Sequence, residues 1–99
     1  MSVNIDLSLH INDLASAEEA DAVEAALEPV LREHSIEKEV SVSVYRSPHW
    51  VKVMTDGHPL SISGFARWSP AFERDVADAV RAVAPGADID LEWGYPDYG

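Results

Sequence analysis

The sequence contains no cysteine, few basic residues and no long apolar run. Without cysteine the chain can form no disulfide and can use no thiolate chemistry. Its apolar runs are far too short to span a bilayer, and its N-terminus lacks the basic and apolar segments of a signal peptide. These absences favour a cytoplasmic protein and exclude thiol-based catalysis.

Positive charge is the other scarcity. Seven Lys and Arg stand against eighteen Asp and Glu, which gives a net charge of −11. Such a field repels phosphate backbones and anionic lipids, so we expect neither nucleic acid nor a membrane as a partner, and a basic protein is favoured. The alternative is that acidity only maintains solubility. The 99 residues predict a single domain over residues 1–99, with a modest core.

Four stretches alternate between apolar and polar residues, which is the pattern of a strand. They are residues 3–11, 37–46, 50–55 and 87–95. The first alternates most regularly and contains no Gly or Pro, so we expect it to be central. The second and third are joined by Ser47-Pro48-His49 and predict an antiparallel hairpin. Residues 60–65 fit either a short edge strand or an ordered loop, because Gly64 weakens the strand pattern.

Two helices are predicted from capping signals and helical spacing of apolar residues. Ser16 and Glu19 form a capping box, in which Ser16 accepts from the Glu19 amide and the Glu19 carboxylate accepts from the Ser16 amide. That helix runs to about residue 34. Ser69 and Pro70 are typical of the capping and first helical positions of the second helix.

The resulting order is β-α-β-β-(β)-α-β. With right-handed crossovers, this order predicts an α+β fold of the ferredoxin-like, split βαβ kind. We expect an antiparallel sheet of four or five strands with two helices on one face. The second face of such a sheet is left open, and the polar residues of each alternating stretch fall on it.

The open face is predicted to carry a binding surface. Carboxylates at alternate positions of the last strand form a stripe that Asp6 widens, and large aromatic side chains of the kind that anchor interfaces lie beside it. The predicted partner-binding residues are Asp6, Tyr45, Trp50, Asp88, Asp90, Glu92, Asp97 and Tyr98. The alternative is a solvated face whose charges prevent aggregation.

No motif specifies a reaction, and no catalytic residue is predicted. Asp6, Ser8 and His10 share one face of a strand, but their spacing of about 6.6–7 Å makes nucleophile-to-base contacts hard to reach. Carboxylates on a straight strand converge poorly on a cation, and the four histidines lack ligand spacing. We therefore predict no metal site and no cofactor, and interpret the histidines as solvent or turn residues.

The sequence favours a non-enzymatic acidic binding protein that masks a basic surface of a protein partner through its open sheet face. Immunity and inhibitor proteins that neutralise basic toxins work in this way. The alternative is a small enzyme or ligand-binding domain of the dimeric α+β-barrel type, in which two sheets pack face to face. That arrangement requires a more apolar face than the one predicted. The oligomeric state is left open.

Overall fold

The computed structural model describes residues 2–46, 49–57 and 59–94. The elements in chain order are β1 (Ser2–Asn12), α1 (Ala17–Glu33), β2 (Val40–Arg46), β3 (His49–Thr55), β4 (Leu60–Ser63), α2 (Phe65–Val83) and β5 (Asp88–Gly94). The five strands form one antiparallel sheet. The uncertain stretch at residues 60–65 therefore contains a short strand followed by the start of a helix. Within the described ranges, no helix has the length and apolar character needed to cross a membrane.

The first strand is the centre of the sheet, as its regular alternation predicts. It pairs with β5 over residues 6–12, with β3 over residues 8–11 and with β4 over residues 2–5. The hairpin of β2 and β3 extends the sheet, which gives the order β5, β1, β3, β2. This order is the ferredoxin-like arrangement predicted from the sequence, with β4 as an additional strand.

The register shows how β3 and β4 divide the first strand between them. Met54 lies opposite Ser8, and Leu60 lies opposite Ile5. From Met54 to Leu60 the chain advances six residues, whereas the opposite positions on β1, Ser8 and Ile5, are three residues apart. The additional residues form the turn between β3 and β4. Gly57 in this turn has a φ of +82°, a conformation that favours glycine.

The core lies on the helix side of the sheet. Four apolar residues of β1 are 1% exposed or less, namely Ile5, Leu7, Leu9 and Ile11. Leu7, Leu9 and Ile11 belong to one buried cluster with residues of both helices. Both helices thus cover the same sheet face, and the polar residues between these positions lie on the other face.

The N-terminus of α1 has one of the two predicted capping contacts. The Ser16 side chain accepts from the Glu19 amide at 3.1 Å, as predicted. The Glu19 carboxylate, however, accepts from the amide of Ala15 at 3.1 Å. The predicted return bond to the Ser16 amide is wrong, because the carboxylate reaches one residue further back along the chain.

The predicted start of α2 is also wrong. The helix begins at Phe65, and its N-cap is Gly64 in the left-handed conformation, with a φ of +68°. Pro70 lies inside the helix. The extra turn is stabilised by packing, because the rings of Phe65 and Trp68 contact Trp93 of β5, with centroids 5.1 and 5.6 Å from it.

Several strand bounds differ from the prediction; β3, for example, begins at His49, which the sequence assigns to the turn. β2 begins at Val40, three residues later than the alternating stretch, because residues 37–39 form a turn in which the Glu39 amide donates to the Ile36 carbonyl. β5 spans Asp88–Gly94, and the predicted strand residue Tyr95 lies outside the described residues.

Candidate partner-binding face

The sheet face opposite the helices, which we call the open face, carries three rows of side chains. The first two rows cross β2, β3, β1 and β5 through consecutive register pairs, and the third consists of one pair on β2 and β3 and one pair on β1 and β5. The first row holds Ser41, Met54, Ser8 and Glu92, the second Ser43, Lys52, His10 and Asp90, and the third Tyr45, Trp50, Asn12 and Asp88.

The β5 end of the three rows is acidic. Asp88, Asp90 and Glu92 are all exposed, and they lie opposite Asn12, His10 and Ser8 of β1. We call these three carboxylates the β5 stripe. Among the strand residues whose side chains the structure describes, Lys52 is the only lysine or arginine on this face. The open face is therefore negative along one side, and Lys52 on β3 is separated from the β5 stripe by β1.

The other side of the open face carries a stack of three rings. Tyr45 and Trp50 are register partners, and their rings stack with centroids 4.2 Å apart at an interplanar angle of 11°. His10 of β1 stacks with Trp50 at 5.5 Å and 20°. We call these residues the ring stack. The sequence places Tyr45 and Trp50 here, but His10 was missed as a member. Its signal is its position on the strand beside β3, diagonal to Trp50.

Asp6 lies near the end of the β5 stripe. It accepts a hydrogen bond from the Thr55 hydroxyl at 3.3 Å and is half-buried. Asp6 and Glu92 line the same shallow cleft of about 540 Å³. The structure therefore brings Asp6 to the acidic side of the open face, where the sequence predicts it. The other two predicted residues, Asp97 and Tyr98, lie outside the described residues.

The three polar residues of β1 that resemble a catalytic triad are held by different neighbours. Asp6 is bonded to Thr55, and His10 stacks on Trp50. Across residues 2–46, 49–57 and 59–94, no three His, Asp or Glu side chains are grouped so that they could hold a metal ion.

The interpretation of the histidines as solvent or turn residues is wrong for His34, which helical spacing places on the apolar stripe of α1. His34 follows α1, its side chain is 12% exposed, and its Nε2 lies 2.8 Å from Oδ2 of Asp75 on α2. The ring of His34 also meets Phe72 edge to face at 5.2 Å. Sequence reasoning missed this pair because 41 residues separate its members. The available signal was the position of Asp75, three residues after Phe72 and next to Val76 on the apolar stripe of α2.

Two solved structures are similar to the chain in fold. One is protein SP2199 from Streptococcus pneumoniae, with a TM-score of 0.51 and 12% identity, covering 95% of this chain and 86% of that one. The other is a de novo designed protein with a ferredoxin fold, LFR1 1, with a TM-score of 0.52 and 13% identity, covering 92% of this chain and 84% of the design. These likenesses confirm the ferredoxin-like fold.

No protein-family model matches the sequence, and no curated protein matches it significantly. Because one fold supports many activities, the function has to be argued from the open face itself.

Proposed function

We propose that the chain is a non-enzymatic acidic binding protein that masks a basic surface of a protein partner with its open face. The observation that carries the proposal is the arrangement of the β5 stripe and the ring stack side by side on one exposed sheet surface. Exposed charges steer an oppositely charged partner, and aromatic side chains provide the area that anchors it. An immunity or inhibitor protein is expected to combine these two roles, steering by charge and anchoring by aromatic side chains.

Charge complementarity identifies the kind of partner. The net charge of −11 and the exposure of Asp88, Asp90 and Glu92 favour a basic protein. A partner that normally binds phosphates presents such a surface, and carboxylates can occupy the same positions. Immunity-type inhibition of a basic, phosphate-binding toxin follows as the specific form of the proposal.

The dimeric barrel is not favoured by the open face. Packing two such faces together would remove Lys52 and the β5 stripe of both copies from water. Burying charges that lack partners costs several kcal/mol per ion in order of magnitude, and like charges add repulsion. A tight face-to-face dimer in sedimentation at micromolar concentration would contradict this argument.

The test compares two triple variants that carry the same net charge. One replaces the β5 stripe by serine (Asp88→Ser, Asp90→Ser and Glu92→Ser). The control replaces three exposed acidic residues of the helices by serine (Glu24→Ser, Glu33→Ser and Asp78→Ser). Each variant changes the net charge from −11 to −8, so the two differ only in where charge is removed.

The wild-type chain is used to capture a binding protein from the producing organism at low salt, and the purified partner is then measured by surface plasmon resonance. We expect a basic partner whose association rate falls at least about tenfold with the stripe variant and much less with the control, because exposed charges act mainly through steering. High salt should reduce the association rate of the wild type towards that of the stripe variant. Capture of no basic protein, or equal effects of the two variants, would contradict the proposal.

A further inference from the structure

The open face contains a second cleft at the end of β1 that lies nearest α1 in the sequence. Its volume is about 490 Å³, which is within the range of about 300–1,000 Å³ common for ligand pockets. It is lined by His10, Asn12, Asp13, His49, Trp50 and Asp90. The cleft lies between the ring stack and the β5 stripe, so a partner that covers the open face also covers the cleft.

The acidic residues of the cleft are Asp13 and Asp90, whose ionised carboxylates only accept hydrogen bonds. Asn12 adds an amide that can both accept and donate. Among the residues whose side chains the structure describes, no lysine or arginine lines the cleft. A ligand that supplies several hydrogen-bond donors and a positive charge complements this set, whereas an anion or a neutral acceptor does not.

His49 adds an observation that is independent of the carboxylates. Its Nδ1 atom is buried and has no hydrogen-bond partner among the described residues. A buried acceptor without a partner costs about 1–3 kcal/mol relative to a satisfied one. An imidazole that carries its proton on Nε2 can accept at Nδ1, and the terminal torsion of a histidine is soft enough to turn that atom towards the cleft. A donor entering the cleft would therefore satisfy a group that the fold leaves unsatisfied.

The ring stack restricts the shape of the ligand. Since β3 lies between β2 and β1, Tyr45 and His10 cover opposite faces of Trp50. Trp50 therefore forms a rigid wall, and His10 is the last ring on the side of β5. Asp90 is the register partner of His10. A planar group that enters the cleft beside His10 and Asp90 would contact both the imidazole ring and the carboxylate.

We propose that this cleft binds the guanidinium group of an arginine side chain that the basic partner presents. The proposal rests on the proposed function and names the chemical group that the open face recognises. Guanidinium is planar, stacks on rings and carries five N–H donors in a fork that matches a carboxylate, whereas the ammonium of lysine is a compact point charge. A guanidinium group suits this cleft because its several donors can bind more than one of the lining acceptors, which belong to Asp13, Asp90 and His49.

The test needs no partner protein. A blocked tripeptide with a central arginine is titrated into the full chain, followed by two-dimensional NMR of the amide, indole and imidazole signals, beside the corresponding lysine tripeptide. We expect saturable shifts at His10, His49 and Trp50 with the arginine peptide, and a dissociation constant several-fold higher for lysine. Asp90→Asn should raise the constant for the arginine peptide at least about fivefold, because it removes a charge-assisted bond.

Two further variants keep the result interpretable. Asp13→Asn removes the second carboxylate while keeping a residue that tolerates its positive φ of 60°, and it should also weaken binding. Asp78→Asn removes an exposed charge from α2, on the helix side of the sheet and outside the cleft, and should change the constant less than about twofold, since exposed charges at a distance are screened.

The outcomes separate the two proposals. Absent shifts, equal binding of the two peptides, or an Asp90→Asn effect no larger than that of Asp78→Asn would overturn the arginine site. If a basic partner is captured while the cleft binds no arginine peptide, only the arginine site fails. If the peptide binds as expected and no basic partner is captured, only the proposed function fails.

Discussion

Stacking of Tyr45 on Trp50 should be measurable as a coupling energy between two positions of the open face. The relevant variants are Tyr45→Leu, Trp50→Leu and the double variant, which remove the rings and keep apolar side chains. Stacked aromatic pairs contribute about 0.5–1.5 kcal/mol beyond their buried area. Tyr45 is 40% exposed, which places its pair near the lower end of this range. We therefore expect a coupling of about 0.5–1 kcal/mol.

The same structure predicts that the two single variants differ. Trp50 contacts two rings, at 4.2 and 5.5 Å, whereas Tyr45 contacts only Trp50 within the ring stack. The loss in the free energy of unfolding should therefore be larger for Trp50→Leu than for Tyr45→Leu by at least about 0.5 kcal/mol, the value of one weak ring contact.

Urea unfolding followed by circular dichroism gives the four free energies of the cycle, provided that the m-values agree. Ser43 and Lys52 are the adjacent register pair and provide a control cycle, in which Ser43→Ala and Lys52→Ala should couple by less than about 0.3 kcal/mol. A Tyr45–Trp50 coupling as small as that of the control would refute the ring stack, and the proposed binding surface would lose its aromatic anchor.

The remaining predictions concern the framework that holds the open face. Leu7→Ala should lower the free energy of unfolding by about 2–5 kcal/mol in urea denaturation, because Leu7 is 1% exposed in the central strand; a loss below about 1 kcal/mol would contradict its place in the core. Gly64→Ala should lower the free energy of unfolding by about 1–2 kcal/mol through backbone strain alone, since an added Cβ would meet nothing within 4 Å. An unchanged midpoint of thermal unfolding would contradict the left-handed conformation of Gly64. Asp75→Ala should destabilise the chain by about 1 kcal/mol through loss of the bond to His34, whereas the exposed Asp78→Ala should change stability by less than about 0.5 kcal/mol in the same assay; equal effects would contradict the interhelical pair.

The sheet could be predicted from the sequence because strand alternation is a local signal. One face of β1 is buried residue by residue, so a single pattern fixes which side chains face the helices. The direction of Asp88, Asp90 and Glu92 follows from the same alternation in β5. Sequence patterning was sufficient wherever the alternation within a single strand determines which of its side chains face the helices.

Contacts between distant segments were not predictable in this way. The start of α2 was misplaced because Ser69 and Pro70 form a good local capping signal, while packing of Phe65 against Trp93 decides the matter. Similarly, His34 and Asp75 meet only after α1 and α2 are packed. The membership of His10 in the ring stack depends on the register between β1 and β3, which no single segment encodes.

The unequal pairing of β1 has a consequence for how the open face moves. Residues 2–5 pair with β4 alone in the described sheet, whereas residues 8–11 are hydrogen-bonded to β3 on one side and β5 on the other. Local opening should therefore begin at the four-residue strand β4, and amide hydrogens of residues 2–5 should exchange faster than those of residues 8–11. The two rows that contain Ser8 and His10 cross the doubly held half. A partner would thus meet a surface already fixed in its bound shape, and little conformational entropy would be lost when the two proteins dock.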